Sequence, residues 1–162
     1  MKIAVVYHSE SGNTAQVAQI VAEGARIDSS VEVRVMSIAE SDQSFVKEAQ
    51  AVIIGTPTYA GTFSWQMKQW LDTGCVRLAD KLGAVFATEN YVGGGADFAE
   101  LALIGHLLVK GMIVYSAGAS RGQPFTHYGA VTIRVGNEAQ QERARIFGRR
   151  VAEKAVELFG AG

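Results

Sequence analysis

The chain has 162 residues, 48% of them hydrophobic and 19% charged, which suits one ordinary globular domain and argues against long disordered tails. Fifteen Lys and Arg stand against 16 Asp and Glu, a net charge of −1 that excludes nucleic-acid binding through bulk positive charge and argues against a strongly acidic protein built to dock on basic partners. The one cysteine, Cys75, excludes an internal disulfide and offers no metal cluster.

In chain order, residues 3–7 are a short apolar run, too short for a signal-peptide core. No run approaches the roughly 20 residues of a membrane span. A single cytoplasmic domain covering residues 1–162 is therefore expected. Residues 3–7, 51–54, 84–87 and 112–115 are continuously apolar, as strands covered on both faces are. Residues 31–35 alternate and read as an edge strand. Between them come helical patterns: Thr14 to Arg26 with Val17, Ile20 and Val21; Phe63, Met67, Trp70 and Leu71; and Phe98, Leu101, Ala102 and His106 before Gly111. A long amphipathic stretch runs from Glu138 to Phe159, and residues 41–50 allow only a short helix. Strand and helix alternate five times, which predicts an α/β doubly wound parallel sheet in the order 2-1-3-4-5 with helices on both faces. Ligands of such sheets bind beyond the carboxyl ends of strands 1, 3 and 4.

The loop after strand 1 is His8-Ser9-Glu10-Ser11-Gly12-Asn13-Thr14, with three hydroxyls and no lysine or arginine. Hydroxyls beside a helix N-terminus suit a phosphate; plain capping by Asn13 or Ser11 is the alternative. A Gly-Lys-Ser/Thr triplet and a G-x-G-x-x-G after strand 1 are both missing, which excludes the nucleotide P-loop and the dinucleotide fingerprint. Strand 1 ends in His8-Ser9 and strand 3 in Gly55-Thr56, without the acidic cluster and aspartate of a phosphoacceptor receiver domain.

Ser9, Glu10, Ser11, Gly12, Asn13 and Thr14 resemble the flavodoxin phosphate loop, which holds FMN without basic side chains. The run Gly55-Thr56-Pro57-Thr58-Tyr59-Ala60-Gly61, the glycines Gly93-Gly94-Gly95 and the Tyr128-Gly129-Ala130 motif are similar to the flavodoxin-like NAD(P)H:quinone oxidoreductases. This chain is a shortened form: it has only Ser41 to Glu48 where that family carries an extra segment, and Lys110 and Ala60 replace a usual His and Phe. The resemblance implies FMN as cofactor and NAD(P)H as electron donor. Its phosphate falls to Ser9 through Thr14, and its ring edges fall to Pro57, Thr58, Tyr59, Ala60 and Gly61 and to Glu89, Asn90, Tyr91, Gly93 and Gly94. Tyr59 and Tyr91 are the aromatics inside those loops. His127 is the candidate proton donor to a quinone oxygen, against a solvated loop histidine. Trp70 and Cys75 read as structural, and Trp65 falls off the core face. Two functions follow: NAD(P)H-dependent quinone reduction, or a flavodoxin-type carrier docking on redox proteins. Either is compatible with a homo-oligomer.

Overall fold

The computed structural model describes residues 1–160. Strand β1 (Lys2–Tyr7) pairs in parallel with β2 (Glu32–Ser37) on one side and β3 (Ala51–Tyr59) on the other. Next to β3 lies β5 (Leu82–Glu89), also parallel. The strand order therefore follows the expected doubly wound pattern, with β2 at the edge.

The sheet has seven strand segments rather than five, for two reasons. Residues Thr62–Phe63 form β4, which folds back antiparallel on the end of β3. The fifth strand is split: β6 (Ile113–Val114) pairs with the start of β5 at Leu82 and Gly83, while β7 (Ala130–Ile133) pairs with its end at Phe86 to Glu89. The intervening loop is fastened by Arg150, whose guanidinium donates to the carbonyls of Arg121, Gly122, Gln123 and Pro124 at 3.0–3.2 Å.

Helices α1 (Asn13–Ala25) and α5 (Glu138–Phe159) cover one face, and their apolar stripes meet the sheet around Val17, Val21, Phe147 and Val151. The other face carries α2 (Gln43–Glu48), α3 (Trp65–Gln69), which continues into a π-helical turn at Trp70–Gly74, and α4 (Ala96–Val109). Phe45, Met67, Trp70, Leu103 and Leu107 fill that second core. Trp70 is buried as expected, and its indole N–H donates to Ser41 Oγ at 3.2 Å. Phe63 belongs to β4 and not to the helix that its spacing suggested.

Helix α4 also departs from expectation. It buries Ala96, Ala99, Glu100, Leu103 and Leu107, and turns Phe98 and Leu101 to the outside. It is apolar nearly all round, so periodicity alone cannot say which face is covered.

Three helices start with a side-chain cap. Asp42 caps α2, Ser64 caps α3, and Asn137 caps α5 in a reciprocal box with Gln140. The other two, α1 and α4, start at Gly12 and Gly95 in left-handed backbone conformations, with no side-chain cap. Their N-termini lie just past the carboxyl ends of β1 and β5, the side of the sheet expected to bind ligands.

Candidate functional site

The loop after β1 is shaped by its own hydroxyls. Ser9 Oγ accepts the N–H of Gly12 at 3.2 Å, and Gly12 turns the chain at φ 88°. Asn13 Nδ2 donates to Ser11 Oγ at 3.1 Å, so neither side chain caps α1. The capping alternative is thereby set aside. The first-turn N–H groups of α1, at the positive end of its dipole, are left for another acceptor. The carboxylate of Glu10 is turned aside, accepting from Gln66 Nε2 at 2.7 Å and lying 3.8 Å from His8 Nε2. Burial holds the His8 imidazole below its ordinary pKa, against the pull of Glu10.

The end of β3 supplies the second wall. Tyr59 pairs with Thr62, so Ala60 and Gly61 form a two-residue hairpin turn, both with positive φ, at 49° and 76°. Thr58 Oγ1 is buried and has no hydrogen-bond partner. Tyr59 is half-buried, which raises its phenol pKa, and its ring meets His8 edge-on at 6.5 Å between centroids.

The end of β5 supplies the third. Thr88 Oγ1 lies 2.8 Å from Thr14 Oγ1, both buried. Two hydroxyls hold two hydrogens, and this contact uses one, so the pair keeps one donor for a ligand. Glu89 Oε2 accepts the N–H of Ala96 at 3.1 Å, steadying the first turn of α4. The N–H of Gly94 closes a turn on the Tyr91 carbonyl at 3.1 Å, with Gly93 at positive φ and Tyr91 exposed at its corner. Gly95 packs on the hairpin tip, where an added Cβ would come within 2.8 Å of Gly61 Cα. Two loops distant in sequence thus touch backbone to backbone.

These three walls enclose a cavity of about 60 Å³ lined by Glu10, Ser11, Asn13, Thr14, Pro57, Thr58, Tyr59, Thr88, Glu89 and Asn90. Nine of the ten were expected from sequence. Thr88 was missed, although a hydroxyl in the last turn of an apolar strand, one residue before Glu89, was the available signal. Ser9, Gly12, Ala60, Gly61, Tyr91, Gly93 and Gly94 lie in the same loops outside that lining, where they set backbone shape. His127 is elsewhere. It lines a separate pocket of about 290 Å³ with Asp97, Phe125, Thr126, Gly129, Val131 and Arg143. Cys75 is half-buried with its thiol pKa raised by burial, in keeping with a structural role.

A family model described as a flavodoxin domain matches residues 4–92, more than half of the chain. The chain belongs to the flavodoxin family. A flavodoxin from Clostridium saccharobutylicum is 44% identical over 160 residues, covering 98% of this chain and 100% of that protein. An NAD(P)H dehydrogenase (quinone) from Archaeoglobus fulgidus is 32% identical over 189 aligned positions, covering 97% and 98%. Among solved structures, an archaeal flavodoxin superposes with a TM-score of 0.74 at 24% identity, covering 96% of this chain and 99% of that one. A WrbA-like flavodoxin from Agrobacterium tumefaciens gives 0.72 at 25%, covering 96% and 98%. Flavodoxins and quinone dehydrogenases thus both stand among the relatives of this flavodoxin-like chain. No helix among the described residues is long and apolar enough to cross a membrane.

Proposed function

We propose that this flavodoxin-family chain binds FMN beyond the ends of β1, β3 and β5 and serves as a flavodoxin-type electron carrier between redox proteins. One observation carries the cofactor assignment: the uncapped N-terminus of α1 lies in a cavity with two side-chain hydrogen-bond donors still unused, one from the Thr14–Thr88 pair and one from Thr58. Unused donors at a helix N-terminus suit a terminal phosphate. When bound, FMN supplies a flat ring that takes up and releases electrons.

The chain's own residues do the rest. Ser11 and one hydroxyl of the Thr14–Thr88 pair donate to the phosphate, together with the first-turn N–H groups of α1. The Ala60–Gly61 turn and the Tyr91–Gly94 turn present backbone N–H and C=O groups to the ring edge. Tyr59 gives an apolar face beside the ring and keeps water from one side of it. Glu10 lines the same cavity, and the hydrogen bond that its carboxylate accepts from Gln66 Nε2 lessens its repulsion of a phosphate.

The carrier reading is favoured by length. The flavodoxin relative aligns over 160 residues with this chain, whereas the quinone dehydrogenase relative needs 189 aligned positions to match it. Quinone reduction by NAD(P)H is the second reading, supported by the many relatives that bear that name at 29–32% identity. In that reading His127 would have to protonate the quinone from outside the cavity lining.

Titration of apoprotein with FMN and with FAD, followed by flavin fluorescence, tests the cofactor. FMN should bind more tightly, and Thr88→Val should weaken it by about 10-fold or more, as expected for losing a hydrogen bond to a charged group of about 1.5–3 kcal/mol. Stronger FAD binding would refute the assignment. Steady-state oxidation of NADH and NADPH, with and without a quinone, separates the two readings. A carrier should turn over slowly with either nucleotide and be reduced quickly by a flavodoxin reductase; rapid quinone-dependent oxidation would establish the enzyme.

A further inference from the structure

The candidate cofactor cavity is lined by two carboxylates, Glu10 and Glu89, and by no lysine, arginine or histidine. A phosphate monoester adds about −1.5 to −2 of charge at pH 7. Hydroxyls and helix N–H groups donate to it, but they carry no net charge to set against it or against Glu10. The Gln66 amide is likewise a donor without charge.

His8 stands beside this wall. Its backbone N–H donates to the Gly55 carbonyl at 3.1 Å, which fixes it between the ends of β1 and β3. Its Nε2 is buried without a hydrogen-bond partner, 3.8 Å from Glu10 Oε1, the same oxygen that accepts from Gln66. Among the described residues, His8 is the basic side chain that approaches a carboxylate of the cavity. Tyr59 of β3 is the other titratable group against the ring, and burial raises its phenol pKa, so it stays uncharged at pH 7. The ring also lines a groove of about 400 Å³ with Ile38, Ala39, Gln66, Gln69, Trp70 and Thr73, none of them charged. Solvent therefore reaches the imidazole from the groove while the cofactor cavity is filled. In the free protein, burial keeps the ring mostly neutral at pH 7, with Glu10 pulling the other way.

We propose that His8 takes up a proton from solvent when FMN binds, and that its imidazolium is the cation that offsets the phosphate beside Glu10. The inference rests on the FMN assignment above. The proton goes to the free ring nitrogen, after which both nitrogens are donors and a small shift lets Nε2–H donate to Glu10 Oε1. The cause is electrostatic, since an anion brought close favours the charged form of a base. Because binding raises proton affinity, protons must raise FMN affinity by the same factor, so FMN binds more tightly as pH falls through the His8 titration.

Nuclear magnetic resonance titration of the His8 imidazole tests this on the full chain, as apoprotein, with riboflavin and with FMN. FMN should move the His8 midpoint to higher pH; riboflavin, which lacks the phosphate, should not. Calorimetry at pH 7 in two buffers of different ionisation enthalpy should show more proton uptake per FMN for the parent than for His8→Gln, a comparison that cancels the titration of the phosphate itself. From about pH 9 to about pH 5 the parent should gain about 10-fold or more in FMN affinity relative to that variant, the factor that a nearby opposite charge gives to a protonation equilibrium. FMN that binds while the His8 midpoint stays level or falls overturns this inference and leaves the cofactor assignment standing, as does an equal rise with riboflavin. Failure of FMN to bind at all overturns both.

Discussion

Glu100 is a pH-sensitive residue that solvent barely reaches. It lies on the inner face of α4, neither carboxyl oxygen has a partner, and Oε1 abuts Gly129. Burial first, then the negative charges of Asp97 and Glu89, raise its pKa well above the usual glutamate range. The folded chain therefore keeps this proton to higher pH than the unfolded chain, whose pKa is about 4.3. The unfolded state binds fewer protons, so this group's contribution to stability is fully present below pH ~4.3 and falls as pH rises above it. Glu100→Gln should flatten that fall. Its Tm should exceed the parent's at pH 7 and approach it near pH 4; equal differences at both pH values would refute the account. Glu100 shows why residues differ in legibility. Glu89 was readable because it closes a strand beside glycine-rich loop sequence, but Glu100 sits in a helix apolar on every side, where no neighbour in sequence marks the inward direction.

Elements were readable where local chemistry acts alone. The span of α5 follows from its amphipathic pattern, and β2 announced its place at the sheet edge by alternation. The Ala60–Gly61 hairpin was less legible. Two-residue turns with positive φ at both positions usually advertise themselves as Asn-Gly or Asp-Gly, and here the first position is Ala60. An alanine at φ 49° is strained by about 1–2 kcal/mol. Strain kept at a candidate site is a familiar arrangement, because the surrounding structure must over-determine it, and here the Gly61–Gly95 contact does so. Ala60→Asn should relieve part of the strain and raise stability by about 0.5–1 kcal/mol, measured by urea denaturation. A lower midpoint would mean that the turn is not of this type. The split fifth strand escaped sequence reading for another reason. Both pieces pair with β5 over only two and four residues, and a two-residue strand carries no periodicity to detect.

Over the whole molecule, strand order decides where the site lies, and helix packing decides how firmly. Crossovers place β1, β3 and β5 side by side, so three loops far apart in sequence converge at one end of the sheet. On one face α1 and α5 approach so closely that Gly24 and Gly148 touch the opposing backbone. A Cβ at Gly148 would fall 1.9 Å from Val21 O, and one at Gly24 would fall 1.8 Å from Arg145 O. Gly148→Ala should force the helices apart at a cost of about 3 kcal/mol, lowering Tm by roughly 6–12 °C for a chain of this size. A shift within error would show that the two backbones have room to relax. Since α1 begins at Gly12, FMN affinity should fall with it.

The α1–α5 contact also sets the timing of folding during synthesis. The cover that α5 gives to Val17, Val21 and the neighbouring sheet comes from residues more than a hundred positions downstream. While the 22 residues of α5 are being added, at 5–20 residues per second, a nearly complete sheet waits roughly one to four seconds with one apolar face covered by α1 alone. For that interval the nascent chain is open to chaperones and to its neighbours on the same messenger, and α5 is what closes it.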